Sequence, residues 1–362
     1  MKHVYFITSY AGHILQPDTF HTQCYGSEFA LVEIASRLGN DHKVTVFSGT
    51  PKGYRKKFMN IDWRSDKDFP ETLAEGVPDY IVISRYINVF LDYPIPDGPK
   101  IFVWLHDLVP HMQHHTGMIP ISYMGCVLPR VTKWVPVGHQ MMTEKSLDGN
   151  VHLSKYGITK GDCVVIKNGI TIEDGWDPIA YTEKEKNTFI YSSWAAKGLW
   201  NLLDHWGSVL EIMPDAKLNV YYHHSEEEAA RFRVYKHKYG DSIVHHGRVE
   251  QKDLFEAMKR TEYWLFPNEF PETCCTTAME MGYYGVIQIT NSRGELKNNV
   301  AGNMIDRDEP DDAFWRTALD VIKTMSEDEH LKEVIRKRQF AWCSQQTWDE
   351  RAGRWKRLFE HA

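Results

Sequence analysis

Long hydrophobic runs are missing from this sequence of 362 residues. No window holds the roughly 18 consecutive apolar residues that a membrane-spanning helix needs. The first apolar run has four residues and ends at Thr8 and Ser9, which is too short for a signal peptide. We therefore expect a soluble chain that begins with a buried strand.

Cysteine pairs and glycine-rich phosphate loops are absent as well. The six cysteines stand apart from any C-x-x-C motif, at positions 24, 126, 163, 274, 275 and 343. This spacing indicates neither a zinc cage nor a thioredoxin-like motif, and reduced thiols fit a cytoplasmic location. Neither G-x-G-x-x-G nor G-x-x-x-x-G-K-[ST] occurs, which removes the main support for a dehydrogenase or a P-loop enzyme.

An excess of positive charge is the third absence. The chain has 42 Lys and Arg against 49 Asp and Glu, a net charge of −7, which argues against nucleic acid as the main partner. Its 42% hydrophobic and 25% charged residues are ordinary for a globular protein. Because the chain is longer than one hydrophobic core usually supports, we expect two domains.

Short apolar runs alternate with amphipathic stretches along the whole chain. The predicted strands cover residues 4–8, 44–48, 80–84, 101–105, 134–137, 164–166, 188–191, 218–222, 243–245, 263–266 and 286–289. The clearest predicted helices cover residues 28–38, 199–211, 226–238, 251–259 and the terminal segment 344–362. Strands that alternate with helices predict parallel α/β sheets.

The alternation restarts in the middle of the chain, after a segment with turn residues and no periodic pattern. We therefore predict a first domain over residues 1–170, a linker over 171–186 and a second domain over 187–343. Residues 344–362 are predicted to form a helix that returns to the first domain. In open α/β sheets ligands bind at the carboxyl ends of the strands, so the site is expected there.

The most informative stretch is WLFPNEFPETCCTTAMEMGYYGVIQIT, which covers residues 264–290. It predicts a buried strand, a loop with two prolines, a helix that opens near Thr273, and another strand. On such a helix Glu272 and Glu280 would lie roughly 12 Å apart along the axis. Two carboxylates at that distance can each bind a separate hydroxyl-bearing ring, with the first helical amides left for an anion.

This stretch resembles the E-x7-E signature of retaining glycosyltransferase family 4. Pro267, Glu272, Glu280 and Gly285 fall in the register of that signature, followed by an apolar strand. The family has Gly-Phe-Gly after the first Glu, whereas this chain has Thr273-Cys274-Cys275. That departure puts side chains where backbone normally approaches the donor sugar, so the sugar preference is expected to differ.

Four further segments resemble the same family, in the same order along the chain. They carry Gly26 with Glu28, Asn168 with Gly169, Lys197 with Gly198, and Trp348. The resemblance implies the GT-B fold, in which two Rossmann-like, doubly wound parallel-sheet domains face each other across a cleft. It implies no cofactor and no metal.

The resemblance also implies roles for individual residues. Lys197 would stabilise the charge on the departing diphosphate. The family's second cation is replaced by Ser192, with Arg248 as a conceivable substitute. Glu272 would bind hydroxyls of the donor sugar beside Thr273, Cys274 and Cys275. Glu280 would bind the ribose diol, and the amides near Gly26 would hold the distal phosphate.

His106 ends the predicted strand 101–105 and, by the resemblance, would hydrogen-bond a hydroxyl of the transferred sugar. No carboxylate can be assigned as a nucleophile, and the family is generally interpreted as reacting on one face of the sugar. In that mechanism the leaving phosphate oxygen accepts the proton of the acceptor. We adopt it as a hypothesis.

The resulting expectation is a retaining glycosyltransferase with a GDP- or UDP-sugar donor, GDP-mannose first, and a hydroxyl of a glycan or glycoconjugate as acceptor. Two alternatives stay open. One is a catalytically weak sugar-nucleotide-binding protein, motivated by Ser192 and the Thr-Cys-Cys turn. The other is an epimerase or phosphorylase of the same fold. A homo-oligomer is compatible with either.

Three other patterns are interpreted as structural. The histidines at 106, 111, 114 and 115 lack metal-ligand spacing, and the Asp306–Asp308 pair is read as a turn before a helix rather than a metal site. The basic segment 51–58 is predicted to be a solvated loop. Catalytic thiol chemistry at Cys274 or Cys275 is not expected, because neither has an identifiable His partner.

Overall fold

The structure is a computed structural model that describes residues 1–8, 14–18, 26–93, 95–112, 119–145 and 152–362. Cys24, His114 and His115 lie outside the described residues. The chain divides into two compact units: residues 1–169 together with Trp348–Ala362, and Ile170–Thr347. Among the described helices, none is both long and apolar enough to cross a membrane.

The first unit contains a seven-stranded sheet with the strand order β3-β4-β2-β1-β5-β6-β7. Its strands are β1 (His3–Thr8), β2 (Lys43–Ser48), β3 (Arg55–Phe58), β4 (Ile61–Ser65), β5 (Tyr80–Ser84), β6 (Lys100–Leu105) and β7 (Lys133–Pro136). All neighbours pair in parallel except β3 and β4, which are antiparallel. Its helices begin with α1 (Gly26–Leu38), α2 (Phe69–Glu75), α3 (Val89–Asp92) and α4 (Ile121–Val127). The inner strands are continuous apolar runs because both faces of a parallel sheet are covered.

The second unit contains an all-parallel sheet with the order β10-β9-β8-β11-β12-β13. Its strands are β8 (Glu185–Tyr191), β9 (Lys217–Tyr221), β10 (Ile243–Gly247), β11 (Thr261–Phe266), β12 (Ile287–Asn291) and β13 (Asn303–Ile305). Its helices are α5 (Leu199–Asp204), α6 (Trp206–Ile212), α7 (Glu226–Tyr239), α8 (Gln251–Arg260), α9 (Thr276–Tyr283), α10 (Leu296–Asn299), α11 (Asp312–Glu327) and α12 (Glu329–Cys343).

The last helix, α13 (Trp348–His361), belongs to the first unit. Its aromatic residues recur at spacings of seven and four, which places them on one face of the helix. Trp355 packs edge-on against Trp104, with ring centroids 5.2 Å apart, and Phe359 stacks on Tyr80 at 4.5 Å. The chain end is therefore part of the core of the unit that contains the chain start.

Most predicted strands are confirmed, but residues 164–166 do not form one. The amides of Val164 and Ile166 donate to the carbonyls of Trp134 (2.9 Å) and Pro136 (3.1 Å). A parallel ladder would require a return bond from the amide of residue 136, and proline has no N–H to donate. The segment therefore lies against β7 as an extended chain without a complete ladder.

The prediction of a solvated loop over residues 51–58 is wrong for its second half, which is the edge strand β3. Edge strands tolerate charge because one side of the strand faces solvent. The hairpin turn uses Met59 (φ 52°) and Asn60 (φ 61°), a positive-φ pair usually signalled by Asn-Gly or Asp-Gly. Because this turn contains no glycine, the sequence pattern did not predict the hairpin.

Helix boundaries also differ from prediction. The predicted helix 199–211 is divided at His205, whose ring stacks on Trp315 with centroids 4.2 Å apart. The terminal helix begins at Trp348 rather than at residue 344. The short strand β13 and the helix α12 were not predicted.

The second unit contains a buried ion pair that generates a test of its packing. Lys332 of α12 donates to Glu262 of β11 at 2.7 Å, with the two side chains 3% and 4% exposed. Without Lys332, the buried Glu262 carboxylate would keep the Arg336 guanidinium, 3.5 Å away, and the Asn187 amide, so we predict that Lys332→Ala lowers the free energy of unfolding by about 3 kcal/mol, the lower end for a broken buried pair. Urea denaturation measures this change. The control is Lys337→Ala, which removes the exposed ion pair of Lys337 with Glu333 and should leave stability unchanged. Equal, small effects of both substitutions would contradict the prediction.

Candidate functional site

The carboxyl ends of β8 and β11 bring together Lys197 and Glu272, which are 75 residues apart in sequence. The Lys197 ammonium donates to the Glu272 carboxylate at 2.7 Å, with the side chains 23% and 6% exposed. Burial by itself would lower the pKa of Lys197, but the Glu272 carboxylate raises it above the ordinary value. The lysine is therefore a fixed cation at the edge of the sheet where ligands of such folds bind.

Two glycines allow the loops that carry this pair to pack closely. Gly198 has a φ of 124°, and a Cβ there would collide with the carbonyl of Pro267 at the end of β11. Gly294 has a φ of 62°, and a Cβ there would lie 2.5 Å from the amide nitrogen of Glu272. Both positions require glycine for conformation and for space, so they fix the positions of Lys197 and Glu272.

A pair of buried asparagines joins the ends of β11 and β12. The backbone amide of Asn268 donates to the Asn291 side chain (2.8 Å), and the Asn291 side chain donates to the Asn268 carbonyl (2.9 Å). The loop is held from its other side by the amide of Glu295, which donates to the Glu272 carbonyl at 2.7 Å. Glu272 is thus positioned by backbone hydrogen bonds on both sides.

The helix after Glu272 begins at Thr276 and not near Thr273, which corrects the predicted helical spacing of the two glutamates. The reason is Cys275, which precedes the helix in the left-handed conformation (φ 45°, ψ 68°). Glu272 and Thr273 therefore lie in a loop, and only Glu280 lies on α9. The rise of a continuous helix does not set their separation.

The two cysteines of this loop have different surroundings. Cys274 is buried, with its sulfur 3.7 Å from the side-chain nitrogen of Asn299, which also donates to its carbonyl. Burial raises the pKa of the Cys275 thiol well above its ordinary value, and Glu272 adds to this shift. A protonated thiol is a poor nucleophile, so burial disfavours thiol chemistry at Cys275. The absence of thiol chemistry at both cysteines stays a prediction.

Glu280 is partly buried, and no hydrogen bond or ion pair to its carboxylate occurs within the described part of the chain. Burial raises its pKa to about 7. A desolvated carboxylate without a partner gains much from hydroxyl donors supplied by a ligand. This environment differs from that of Glu272, which already has the Lys197 ammonium.

Ser192 and Arg248 follow different strands of the second sheet. Ser192 follows β8, and its hydroxyl is buried without a hydrogen-bond partner among the described residues. Arg248 is exposed after β10, and β9 lies between β10 and the strand that leads to Lys197. Replacement of the family's missing arginine by Arg248 stays a prediction.

Gly26 and His106 belong to the first unit. Gly26 is the first residue of α1, and a Cβ there would meet no described atom within 4 Å. His106 follows β6 and packs against the Trp104 ring, with centroids 4.7 Å apart. Burial lowers the pKa of His106 to about 3, so its imidazole is neutral and suited to hydrogen bonding rather than to proton uptake.

Sequence reasoning missed Arg85, which lies beside His106 at the carboxyl edge of the first sheet. It follows β5 with a φ of 64°, a conformation that costs about 1–3 kcal/mol outside glycine. Its guanidinium donates to Asp107 at 2.8 Å. Glu28 of α1 is buried nearby, with one carboxylate oxygen unpartnered among the described residues. A charged residue directly after a buried strand was the signal available in the sequence.

Within the described residues, no group of three or more His, Cys, Asp or Glu side chains is arranged to hold a metal ion. Asp306 follows β13, and α11 begins at Asp312, so the acidic pair precedes a helix as predicted. The five described cysteines are free thiols.

Comparison with known proteins yields matches in structure alone. No protein-family model matches the chain, and no curated protein matches it in sequence. The structure is similar to HepE from Anabaena, solved with UDP and glucose, at a TM-score of 0.70, 13% identity and full coverage of both chains. It is also similar to the catalytic domain of starch synthase IV from Arabidopsis thaliana, solved with ADP and acarbose (TM-score 0.73, 12% identity, 99% of both chains).

A third similar structure is a glycosyltransferase from Rickettsia africae, with a TM-score of 0.72, 14% identity, and coverage of 99% of this chain and 98% of that one. Full-length similarity at this level shows a shared fold. The GT-B fold predicted from the sequence, with two parallel-sheet α/β domains, is confirmed.

The environment of Glu280 predicts a pH dependence of stability. Its pKa is about 7 in the folded chain and about 4.5 when unfolded, so the unfolded state loses its proton first as pH rises. The free energy of unfolding should therefore fall between pH about 4.5 and about 7, by up to about 3 kcal/mol. Denaturation of the natural chain and Glu280→Gln at pH about 5 and about 8 isolates this contribution. A difference between the two proteins that does not vary with pH would contradict it.

Proposed function

We propose that this chain is a retaining glycosyltransferase that transfers a sugar from a nucleoside diphosphate to a hydroxyl of a glycan or glycoconjugate. The observation that carries the proposal is the buried Lys197–Glu272 pair at the carboxyl edge of the second sheet. A cation suited to a diphosphate and a carboxylate suited to sugar hydroxyls are held there in contact. The shared fold with glycosyltransferases supports the same activity.

The donor is proposed to bind the second unit through three groups. Glu280 accepts hydrogen bonds from the ribose hydroxyls. Its carboxylate is desolvated, and no group in the described chain donates a hydrogen bond to it. Lys197 binds the diphosphate, and Glu272 accepts hydroxyls of the sugar. Each charge-assisted hydrogen bond of this kind contributes about 1.5–3 kcal/mol when buried.

Lys197 is proposed to act mainly on the transition state. Negative charge grows on the leaving phosphate oxygen as the glycosidic bond breaks, and a fixed cation stabilises that charge more than the ground state. The same oxygen then accepts the proton of the acceptor hydroxyl, and the new bond forms on the face from which the diphosphate leaves. His106, whose role the resemblance implies, is proposed as a hydrogen-bonding group and not as a base, because burial lowers its pKa to about 3.

The donor base and sugar are the finer part of the proposal. GDP-mannose is the first donor to test, as the resemblance in sequence suggests. HepE was solved with UDP and glucose, and starch synthase IV with ADP and acarbose, so UDP- and ADP-sugars belong in the same panel.

A second candidate is a sugar-nucleotide-binding protein with weak catalysis. It is favoured by Ser192, which provides a hydroxyl where the resembling family has a cation. Such a protein would bind a donor, but without acceptor the bound donor would hydrolyse no faster than the free donor does in buffer. Slow donor hydrolysis by the natural chain would favour the enzyme.

Calorimetric titration with GDP-mannose, GDP-fucose, UDP-glucose, UDP-GlcNAc, ADP-glucose and the free nucleotides tests the donor site. We predict that one donor binds with a dissociation constant in the micromolar range, about −8 kcal/mol, and that Glu280→Ala weakens it by at least about tenfold. Glu327→Ala, in the last turn of α11, is the matched control and should bind normally. Failure of a folded protein to bind any donor would refute the proposed function.

Lys197→Ala tests the catalytic part. We predict a loss of about 10²–10³ in kcat for donor turnover, because the developing phosphate charge loses its fixed cation. The exposed Lys297→Ala serves as the control and should turn over donor at the natural rate. An unchanged kcat together with weaker donor binding would instead assign Lys197 to ground-state binding alone.

A further inference from the structure

Two histidine rings stack on each other at the carboxyl ends of β9 and β10. His224 follows β9 and His245 lies in β10, and their rings are nearly parallel (8°) with centroids 3.8 Å apart. His224 is 7% exposed, and neither of its ring nitrogens has a hydrogen-bond partner among the described residues. This imidazole is therefore held by packing alone, which suits its neutral form and not its charged form.

The stacked pair supports the first half of helix α7. Phe232 is the one buried residue of this fully described helix, and it lies in the middle of the helix. The centroid of its ring is 5.5 Å from that of His224 and 5.4 Å from that of His245. A polar surface helix is stabilised mainly by the packing of its few apolar residues, so the attachment of residues 226–232 depends on the two imidazoles.

The second half of α7 is held by contacts that do not involve the imidazoles. The Tyr235 hydroxyl donates to the Asp204 carboxylate at 2.5 Å, and the Lys236 ammonium donates to the Ile243 carbonyl at 3.1 Å. The Tyr239 hydroxyl accepts from a backbone amide of α6 at 3.3 Å. The two halves of the helix therefore have separate supports, and the first half can open without the second.

The charges around the pair oppose protonation of the buried ring. Burial lowers the pKa of His224 to about 4, His245 and His223 lower it further, and Glu228 acts in the opposite direction. The Glu228 carboxylate is already engaged, because it accepts from the Ser225 amide at 2.8 Å. The titratable and charged groups nearest the pair are Glu228 and Arg231 on α7, His223 on the preceding loop, His246 on β10 and Asp204 on α5.

We propose that the stacked His224–His245 pair is an acid-sensitive latch, which holds the first half of α7 against the sheet and releases it when His224 takes up a proton. A proton on His224 places a charge in a buried site without an acceptor, and a second charge on His245 would repel it at 3.8 Å. The inference rests on the packing of the second unit and not on the proposed function. Release would also remove Glu228 from its place beside Trp194, whose carbonyl accepts from the Lys197 amide.

The pH range of the latch follows from the two states of His224. In the open state the ring has its ordinary pKa of 6.5, against about 4 in the closed state. Between these values the open state binds more protons, so a fall in pH favours opening. A change from pH about 7 to pH about 5 is expected to increase the opening equilibrium about 20-fold.

Hydrogen exchange read by mass spectrometry tests the latch, after correction for the pH dependence of intrinsic exchange. Protection of residues 226–233 should fall about 20-fold between pH about 7 and about 5, while that of β11 falls less. His224→Phe keeps an aromatic stack without a titratable nitrogen, so protection of these residues should no longer depend on pH. His237→Gln, exposed in the last turn of α7, is the matched control and should behave like the natural chain.

Phe232→Ala supplies a second test, because it removes the contact between α7 and the stack. The variant should expose residues 226–233 to exchange at pH about 7 as strongly as acid does in the natural chain, with little further change at pH about 5. Equal losses of protection in α7 and β11 would indicate global unfolding and overturn the latch. A natural pH dependence in His224→Phe, or in Phe232→Ala, would overturn it as well.

Discussion

The contact between Lys197 and Glu272 is the constraint on which the arrangement of the second unit's site depends. At 2.7 Å, with the two side chains 23% and 6% exposed, each charge offsets the desolvation of the other. The backbone is shaped for this contact. Gly198 and Gly294 permit approaches that any side chain would block, and the Asn268–Asn291 pair fixes the strand ends from which both loops start. The backbone conformation of the loops that follow the apolar strands therefore fixes the positions of the Lys197 and Glu272 side chains.

The two glutamates differ in their electrostatic surroundings: Glu272 has a cation in contact, and Glu280 has none among the described residues. Glu272 has its cation within the chain, so a ligand would share a charge that is already compensated. The Glu280 carboxylate is buried without a hydrogen-bond or ion-pair partner among the described residues, and burial raises its pKa to about 7. A diol is such a donor and carries no charge to be desolvated. In the proposed donor site, the ribose hydroxyls would supply the hydrogen bonds that the Glu280 carboxylate lacks among the described residues.

The sequence sufficed for features that depend on local pattern. Buried strands such as His3–Thr8 are continuous apolar runs, and the amphipathic Trp348–His361 could be recognised by the spacing of its aromatic residues. Features that depend on distant partners could not be predicted. The charged edge strand Arg55–Phe58 is stabilised by its neighbour β4, and Arg85 meets Asp107 across 22 residues. The sequence identified Lys197 and Glu272 by resemblance, but only the fold brings them into contact.

Cys275 shows how a departure in sequence can leave the backbone path intact. The resembling family has glycine at this position, and Cys275 adopts the left-handed conformation that favours glycine, at a cost of about 1–3 kcal/mol. The cost is tolerated because its neighbours over-determine the loop: Asn299 holds Cys274, and Glu295 holds Glu272. The consequence is a Cβ and a sulfur atom where the family has bare backbone. In the proposed donor site this extra side chain lies three residues from Glu272, so the sugar preference is expected to differ from that of the resembling family.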